Sequence, residues 1–67
     1  MGKMDKLGYE LYPSPFDDWI VYYNRNKGVI IRFMNDTETI YIDGELHITM
    51  KLLDTIKETT IKLGWEE

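Results

Sequence analysis

Two runs of β-branched and aromatic residues occupy the middle of the chain. The first, DWIVYYN, begins at Asp18 and is followed by the turn residues RNK and by a second run, GVIIRFM. Valine, isoleucine, tyrosine and tryptophan favour strands, and Gly28 suits the left-handed position that short hairpin loops commonly require. The pattern predicts a β-hairpin over residues 18–34.

The register of this hairpin is predicted from the side chains that it brings together. The favoured register collects large apolar residues on one face. Its pairs are Tyr23 with Val29, Val21 with Ile31 and Trp19 with Phe33. The opposite face of the hairpin then carries Ile20, Tyr22, Ile30, Arg32 and Met34.

A third strand is predicted at TIYID, after the polar loop at 35–38. Alternation there places Ile40 and Ile42 on the core face and Tyr41 on the other face. Asp43 and Gly44 form a favourable turn dipeptide, so residues 45–48 are either a short fourth strand or part of a loop.

The first seventeen residues show little periodicity and contain both prolines. Each proline holds the residue before it in an extended conformation. We interpret 1–17 as an N-terminal arm. Alternation of Leu7, Tyr9 and Leu11 leaves open a short edge strand at 7–12, which the YPSP stretch would end.

A helix is predicted from about residue 50 to residue 63. Thr49 is a good N-cap, and Gly64 follows the last apolar residue as a stop. At helical spacing, one stripe of the width expected for a core-facing surface contains Leu52, Leu53, Ile56, Thr60 and Leu63. Met50 and Ile61 lie outside this stripe and form a small flanking patch.

These elements predict an α+β fold, in which a small antiparallel sheet of three to four strands is followed by one C-terminal helix packed on one face. The sheet and helix form a single domain over 18–67, preceded by the arm. The predicted core joins sheet and helix residues: Trp19, Val21, Ile31, Phe33, Ile40, Ile42, Leu52, Leu53, Ile56 and Leu63.

Size and composition restrict the function classes. The chain has 67 residues and no cysteine, so disulfides and thiolate zinc sites are excluded. Domains this small often need oligomerisation or a partner for stability. The net charge of -4 disfavours nucleic acid as a partner. No apolar run approaches the length of a membrane span or a signal peptide, which predicts no membrane association and a cytoplasmic location.

Catalytic chemistry has little support in the sequence. The chain contains one serine, Ser14, in a proline turn, and one histidine, His47, just before the helix. The acids of DTETIYIDGE lack the spacing of a calcium loop, and the glycines are scattered near turns or termini. We predict no enzyme activity, no cofactor and no metal site.

The face of the sheet opposite the helix is the main functional candidate. A solvated outer face of an antiparallel sheet is normally polar, whereas this one is predicted to be apolar and aromatic around one arginine. The candidate protein interface consists of Ile20, Tyr22, Ile30, Arg32, Met34 and Tyr41. The alternative is that the arm covers this face through Leu7, Tyr9, Leu11 and Phe16. Met50 and Ile61 are a secondary candidate patch.

The C-terminal segment HITMKLLDTIKETTIKLGWEE, with LGYE near the start, resembles small uncharacterised proteins of phages and prophages of Gram-positive bacteria. The matching residues are Ile48, Thr49, Met50, Leu53, Ile56, Leu63, Gly64 and Trp65. Leu52 stands where the common form has a capping-box glutamate. The resemblance implies a phage origin, and small phage proteins often bind and redirect or inhibit a host protein, including components of antiviral defence.

The expected function is a non-catalytic interaction protein, with a homodimer favoured, that inhibits or retunes a host protein in the cytoplasm of the infected bacterium. A structural or assembly component of a phage particle is the alternative. A nucleic-acid-associated regulator is less favoured, because Arg25, Lys27 and Arg32 are its only basic cluster.

Overall fold

The computed structural model describes residues 3–65, so the first two residues of the arm and residues 66–67 of the predicted domain lie outside it. The strands are β1 (Glu10–Tyr12), β2 (Trp19–Asn24), β3 (Val29–Met34) and β4 (Thr39–Asp43). They form one antiparallel sheet in the order β1-β2-β3-β4. A short helix α1 (Lys3–Lys6) precedes the sheet, and helix α2 (Met50–Lys62) follows it. The predicted α+β class is confirmed.

The predicted hairpin is present, but its predicted register is wrong by one residue. Asn24 pairs with Val29, Tyr22 with Ile31 and Trp19 with Met34. A shift of one residue exchanges the two faces of a strand. Strand β2 therefore turns Ile20 and Tyr22 toward the helix, and its other face carries the remaining large side chains, Trp19, Val21 and Tyr23.

The turn between β2 and β3 explains this register. The Gly28 amide donates to the Asn24 carbonyl at 2.8 Å, and Gly28 has φ +65°. The Lys27 amide donates to the Asn24 side-chain oxygen at 3.1 Å. Asn24 thus closes a four-residue loop, one residue shorter than the predicted pairing requires.

The core lies between the sheet and helix α2. Val29, Ile31 and Phe33 of β3 are fully buried. The buried cluster also contains Met4, Tyr9, Leu52 and Ile56. Ile40 and Ile42 pack against it, as predicted, together with Leu63 and Trp65. Trp19 and Val21 were predicted in this core and lie on the other face of β2 instead. Val21 is still buried there, as predicted, whereas Trp19 is half-buried.

Helix α2 begins and ends as the sequence predicts. The Leu52 amide donates to the Thr49 hydroxyl at 3.1 Å, and Gly64 at φ +84° ends the helix. Beyond it, the Trp65 indole donates to the Asn35 side-chain oxygen at 2.7 Å. This bond ties the end of the helix to the end of β3.

The buried stripe of α2 differs from the predicted one at two positions. Thr55 is buried, and its hydroxyl donates to the Lys51 carbonyl at 2.7 Å. Leu53, predicted in the core, is exposed. The physical reason is α1, which packs against α2 with Met4 buried and draws the buried arc toward Thr55.

Residues 45–48 form no strand, and the chain there crosses from β4 to the helix. The strand left open in the arm is present as β1, although it is confined to Glu10–Tyr12. The fourth strand of the sheet therefore comes from the arm rather than from the segment after Gly44.

The Tyr9 hydroxyl has no hydrogen-bond partner among the described residues, although Tyr9 is buried. Burial raises the pKa of Tyr9 above its usual value of 10.0, and the neighbouring Asn24 lowers it to a lesser extent. The Asn24 amide lies beside this hydroxyl, but no hydrogen bond of acceptable geometry joins them, and the Asn24 nitrogen donates to the Leu7 carbonyl at 3.4 Å.

Replacing Tyr9 with Phe is expected to leave the free energy of unfolding unchanged or to raise it by about 1 kcal/mol, because it removes an unpaired buried hydroxyl. A second effect depends on pH. Above pH 10 the unfolded chain releases the Tyr9 proton before the folded chain does, so the wild type loses stability. The Phe variant loses less, and urea unfolding of both proteins at neutral pH and above pH 10 measures the difference. A variant less stable than wild type at neutral pH would show that the hydroxyl has a partner.

Candidate protein-binding surface

The sheet face opposite α2, called the outer face here, is apolar and aromatic along its centre. Directly paired residues of an antiparallel sheet point to the same side. The central row across the four strands is Tyr12, Val21, Arg32 and Tyr41. A second row contains Glu10, Tyr23, Ile30 and Asp43, and a third contains Trp19, Met34 and Thr39. Polar residues therefore occur mainly at the edges of the face.

Arg32 lies at the middle of the outer face between two aromatic rings. Its guanidinium carbon is 4.7 Å from the centroid of Tyr41, directly opposite on β4, and 5.4 Å from that of Trp19, diagonally across on β2. The side chain is half-buried. These cation–π contacts, at about 0.5–1 kcal/mol each, favour this position of the guanidinium on the sheet.

Further aromatic side chains surround this centre. The Phe16 ring lies 4.5 Å from the Trp19 ring, and the Tyr12 ring lies 5.8 Å from the Tyr23 ring, measured between centroids. Between them, the loop 13–17 and strands β1 and β2 border an open depression of about 460 Å³. Its walls include Tyr12, Phe16 and Trp19 of the outer side and Leu11 and Ile20 of the helix side, so it lies at the end of strands β1 and β2. The depression is wide enough to accept a large apolar side chain.

The arm does not cover the outer face. Tyr9 is buried in the core on the helix side, and Leu7 packs against the same cluster. Leu11 also lies on the helix side and is 68% exposed, because a cavity of about 270 Å³ lies between it and α2. Phe16 alone, of the four arm residues proposed as a cover, contacts the outer face.

Four of the six residues predicted for the interface are together on the outer face: Ile30, Arg32, Met34 and Tyr41. The other two, Ile20 and Tyr22, face the helix because of the corrected register, and both are half-buried against the core. Sequence reasoning missed Trp19, Val21 and Tyr23 as outer-face residues. The signal that would have found them is Asn24, whose turn bonding sets the register.

A second apolar surface lies on the exposed side of α2. Met50 is 71% exposed and Ile61 is 60% exposed, so both residues of the secondary candidate patch are accessible at the surface. Leu53 joins them on this side of the helix. The three residues are called the helix patch below.

Groups that could perform catalysis do not converge in the described residues. The Ser14 hydroxyl donates to the Phe16 carbonyl at 3.1 Å, and His47 is exposed in the loop before α2. Within residues 3–65, no three histidine or acidic side chains are placed to hold a metal ion. Neither helix of this part of the chain has the length and apolar content to cross a membrane.

The predicted basic cluster is divided in the structure. Arg25 lies on the exposed turn, where its guanidinium is 3.7 Å from the Glu10 carboxylate, and Arg32 lies in the aromatic centre of the outer face.

Comparison of the chain with protein families, with curated proteins and with solved structures finds no match. The surface itself therefore carries the functional argument.

Proposed function

We propose that this chain is a non-catalytic interaction protein that binds a host protein through the outer face and inhibits or retunes it. The observation that carries the proposal is the aromatic and apolar centre around Arg32, which neither the arm nor a helix covers. Tryptophan, tyrosine and arginine are the residues enriched at the energetic centres of protein interfaces. The resemblance to phage proteins is what suggests that the partner is a host protein. The most specific version of this proposal is a component of antiviral defence in the bacterial cytoplasm.

The first test is capture of a partner from bacterial lysate, its identification and a binding measurement with the purified partner. Met34→Asp places a carboxylate on the outer face, and Met50→Asp places one on the helix patch as a matched control. We expect Met34→Asp to weaken binding by a hundredfold or more, since a buried unpaired charge is costly at an interface. Met50→Asp should bind like the wild type, because each outer face binds its partner independently of the oligomeric state of the chain. Equal binding by Met34→Asp, or loss with Met50→Asp, would assign the contact elsewhere.

Solution mass separates this proposal from its alternatives. Light scattering after size exclusion, over a wide concentration range, gives the oligomeric state of the wild type and both variants. We propose a homodimer formed through the helix patch, which Met50→Asp should dissociate while Met34→Asp leaves it intact. A dimer lost in Met34→Asp would mean that the outer face binds a second copy. Large assemblies would favour a structural role in a phage particle, and a salt-sensitive shift of random duplex DNA would favour nucleic acid.

A further inference from the structure

Arg32 has no acidic partner among the residues that the structure describes. Within residues 3–65, no carboxylate lies within ion-pair distance of its guanidinium, and no oxygen accepts a hydrogen bond from it. The strands contain no other basic residue. A cation that becomes fully buried is normally paired with a charge or hydrogen-bonded, and a partner that covers the outer face would bury Arg32. The outer face thus supplies one half of an ion pair.

The two rings prepare this guanidinium for one kind of ligand. Trp19 and Tyr41 contact Arg32 from two neighbouring strands and restrict the motion of its long side chain. A guanidinium carries N–H donors in a planar fork that matches the two oxygens of a carboxylate. Because the rings already restrict the Arg32 side chain, that side chain loses less conformational entropy when a ligand binds.

We infer that the outer face recognises an acidic side chain of its partner, with the carboxylate on Arg32 and a neighbouring large apolar side chain in the depression beside Trp19. This inference rests on the proposed function and names the chemistry of the partner. Trp19 links the two parts, because it contacts Arg32 and also forms a wall of the depression. The partner segment therefore presents an Asp or Glu next to a large apolar residue.

A second copy of this chain fits the surface less well. The central row contains Arg32 and no acid, so two copies packed centre to centre would oppose their guanidinium groups. Glu10 lies at the edge of the face, where its carboxylate is 3.7 Å from the Arg25 guanidinium. Asp43, at the end of β4, is the remaining strand carboxylate on this face and would reach Arg32 of another copy only in an offset arrangement.

The experiment is a selection from a random linear peptide library displayed on yeast. It is run in parallel on the immobilised wild-type chain and on Arg32→Gln, with circular dichroism confirming that the variant is folded. We expect the wild type to enrich peptides with an Asp or Glu at one fixed position and a large apolar residue beside it. Selection on Arg32→Gln should lose the fixed acid.

The enriched peptides then allow a double substitution cycle. Replacing the peptide acid with its amide should weaken binding to the wild type at least about tenfold, as expected for a charge-assisted hydrogen-bonded pair. The same replacement should not change binding to Arg32→Gln. Arg32→Lys keeps the charge but loses the planar fork, and its affinity should lie between those of the other two proteins.

The outcomes distinguish this inference from the proposed function. Some peptides could lose binding to Met34→Asp and yet carry no fixed acid, or bind Arg32→Gln as well as the wild type. Such peptides would overturn the inferred carboxylate on Arg32 and support the outer face as a docking surface. Enrichment of no peptide, or only of peptides unaffected by Met34→Asp, would overturn both. A dimer that Asp43→Asn dissociates would assign Arg32 to a second copy, and a duplex DNA shift lost in Arg32→Gln would assign it to phosphate, each against the inference.

Discussion

Replacing Ile31 with Asp is expected to leave the chain unfolded at 25 °C. Ile31 is fully buried on β3, one of the two inner strands, between Tyr22 and Ile42. Removing a buried isoleucine side chain costs about 2–5 kcal/mol, and an unpaired buried carboxylate adds several more. A domain of this size has about 3–10 kcal/mol of stability in all, at roughly 0.05–0.15 kcal/mol per residue. The cost therefore reaches or exceeds the total.

Circular dichroism and the dispersion of amide proton shifts measure the result. Met34→Asp is the matched control, because it places the same carboxylate on the same strand, on the outer face, opposite Thr39 and Trp19. It should remain folded and cost about 1 kcal/mol or less, in the range of surface and cross-strand effects. Unfolding by both substitutions to the same degree would mean that the outer face is covered in the folded state.

The contrast between these two positions was predictable from the sequence because β3 alternates clearly. Ile31 and Phe33 were predicted in the core, and Arg32 and Met34 on the outer face, and the structure confirms this placement. The neighbouring strand β4 follows the same alternation, with Ile42 toward the core and Tyr41 opposite. Where one face of a strand differs chemically from the other, the hydrophobic pattern determines which way each residue points.

Strand β2 could not be oriented in this way, because both of its faces are apolar. Trp19, Val21 and Tyr23 form as good a hydrophobic set as Ile20 and Tyr22 do. Its orientation depends on the loop, where the Asn24 carbonyl accepts from Gly28 and its side chain accepts from Lys27. Hydrophobic pattern alone does not contain this information. The outer face was therefore identified correctly as a surface, but two of its predicted residues belong to the other side.

The position of Leu53 shows a second limit of the sequence pattern. The buried stripe of α2 was predicted on the assumption that the helix packs against the sheet only, and Leu53 lies within that predicted stripe. Helix α1 adds a second packing partner on the other side of the stripe, where Thr55 is buried. A four-residue helix in an arm without periodicity gives no signal of its own, so the rotation of α2 and the exposure of Leu53 were not predictable.

Replacing Gly44 with Ala is expected to lower the free energy of unfolding by about 2–5 kcal/mol. Gly44 has φ +109°, and a left-handed conformation costs an L-residue about 1–2 kcal/mol. A Cβ at this position would also lie 2.8 Å from the Gly28 carbonyl oxygen and 3.3 Å from the Val29 Cα. Both are backbone atoms beside the fully buried Val29, so relieving the contact requires movement of the sheet, at about 1–3 kcal/mol.

Gly64→Ala separates the two causes. Gly64 also has positive φ, +84°, but a Cβ there would meet nothing within 4 Å. Its substitution should cost only the conformational part, about 1–2 kcal/mol. Urea unfolding of both variants, followed by far-ultraviolet circular dichroism, gives the difference. Equal losses in the free energy of unfolding would show that β4 can move away from the β2–β3 turn at little cost. The close approach of Gly44 to Gly28 would then not determine where the chain leaves the sheet toward α2.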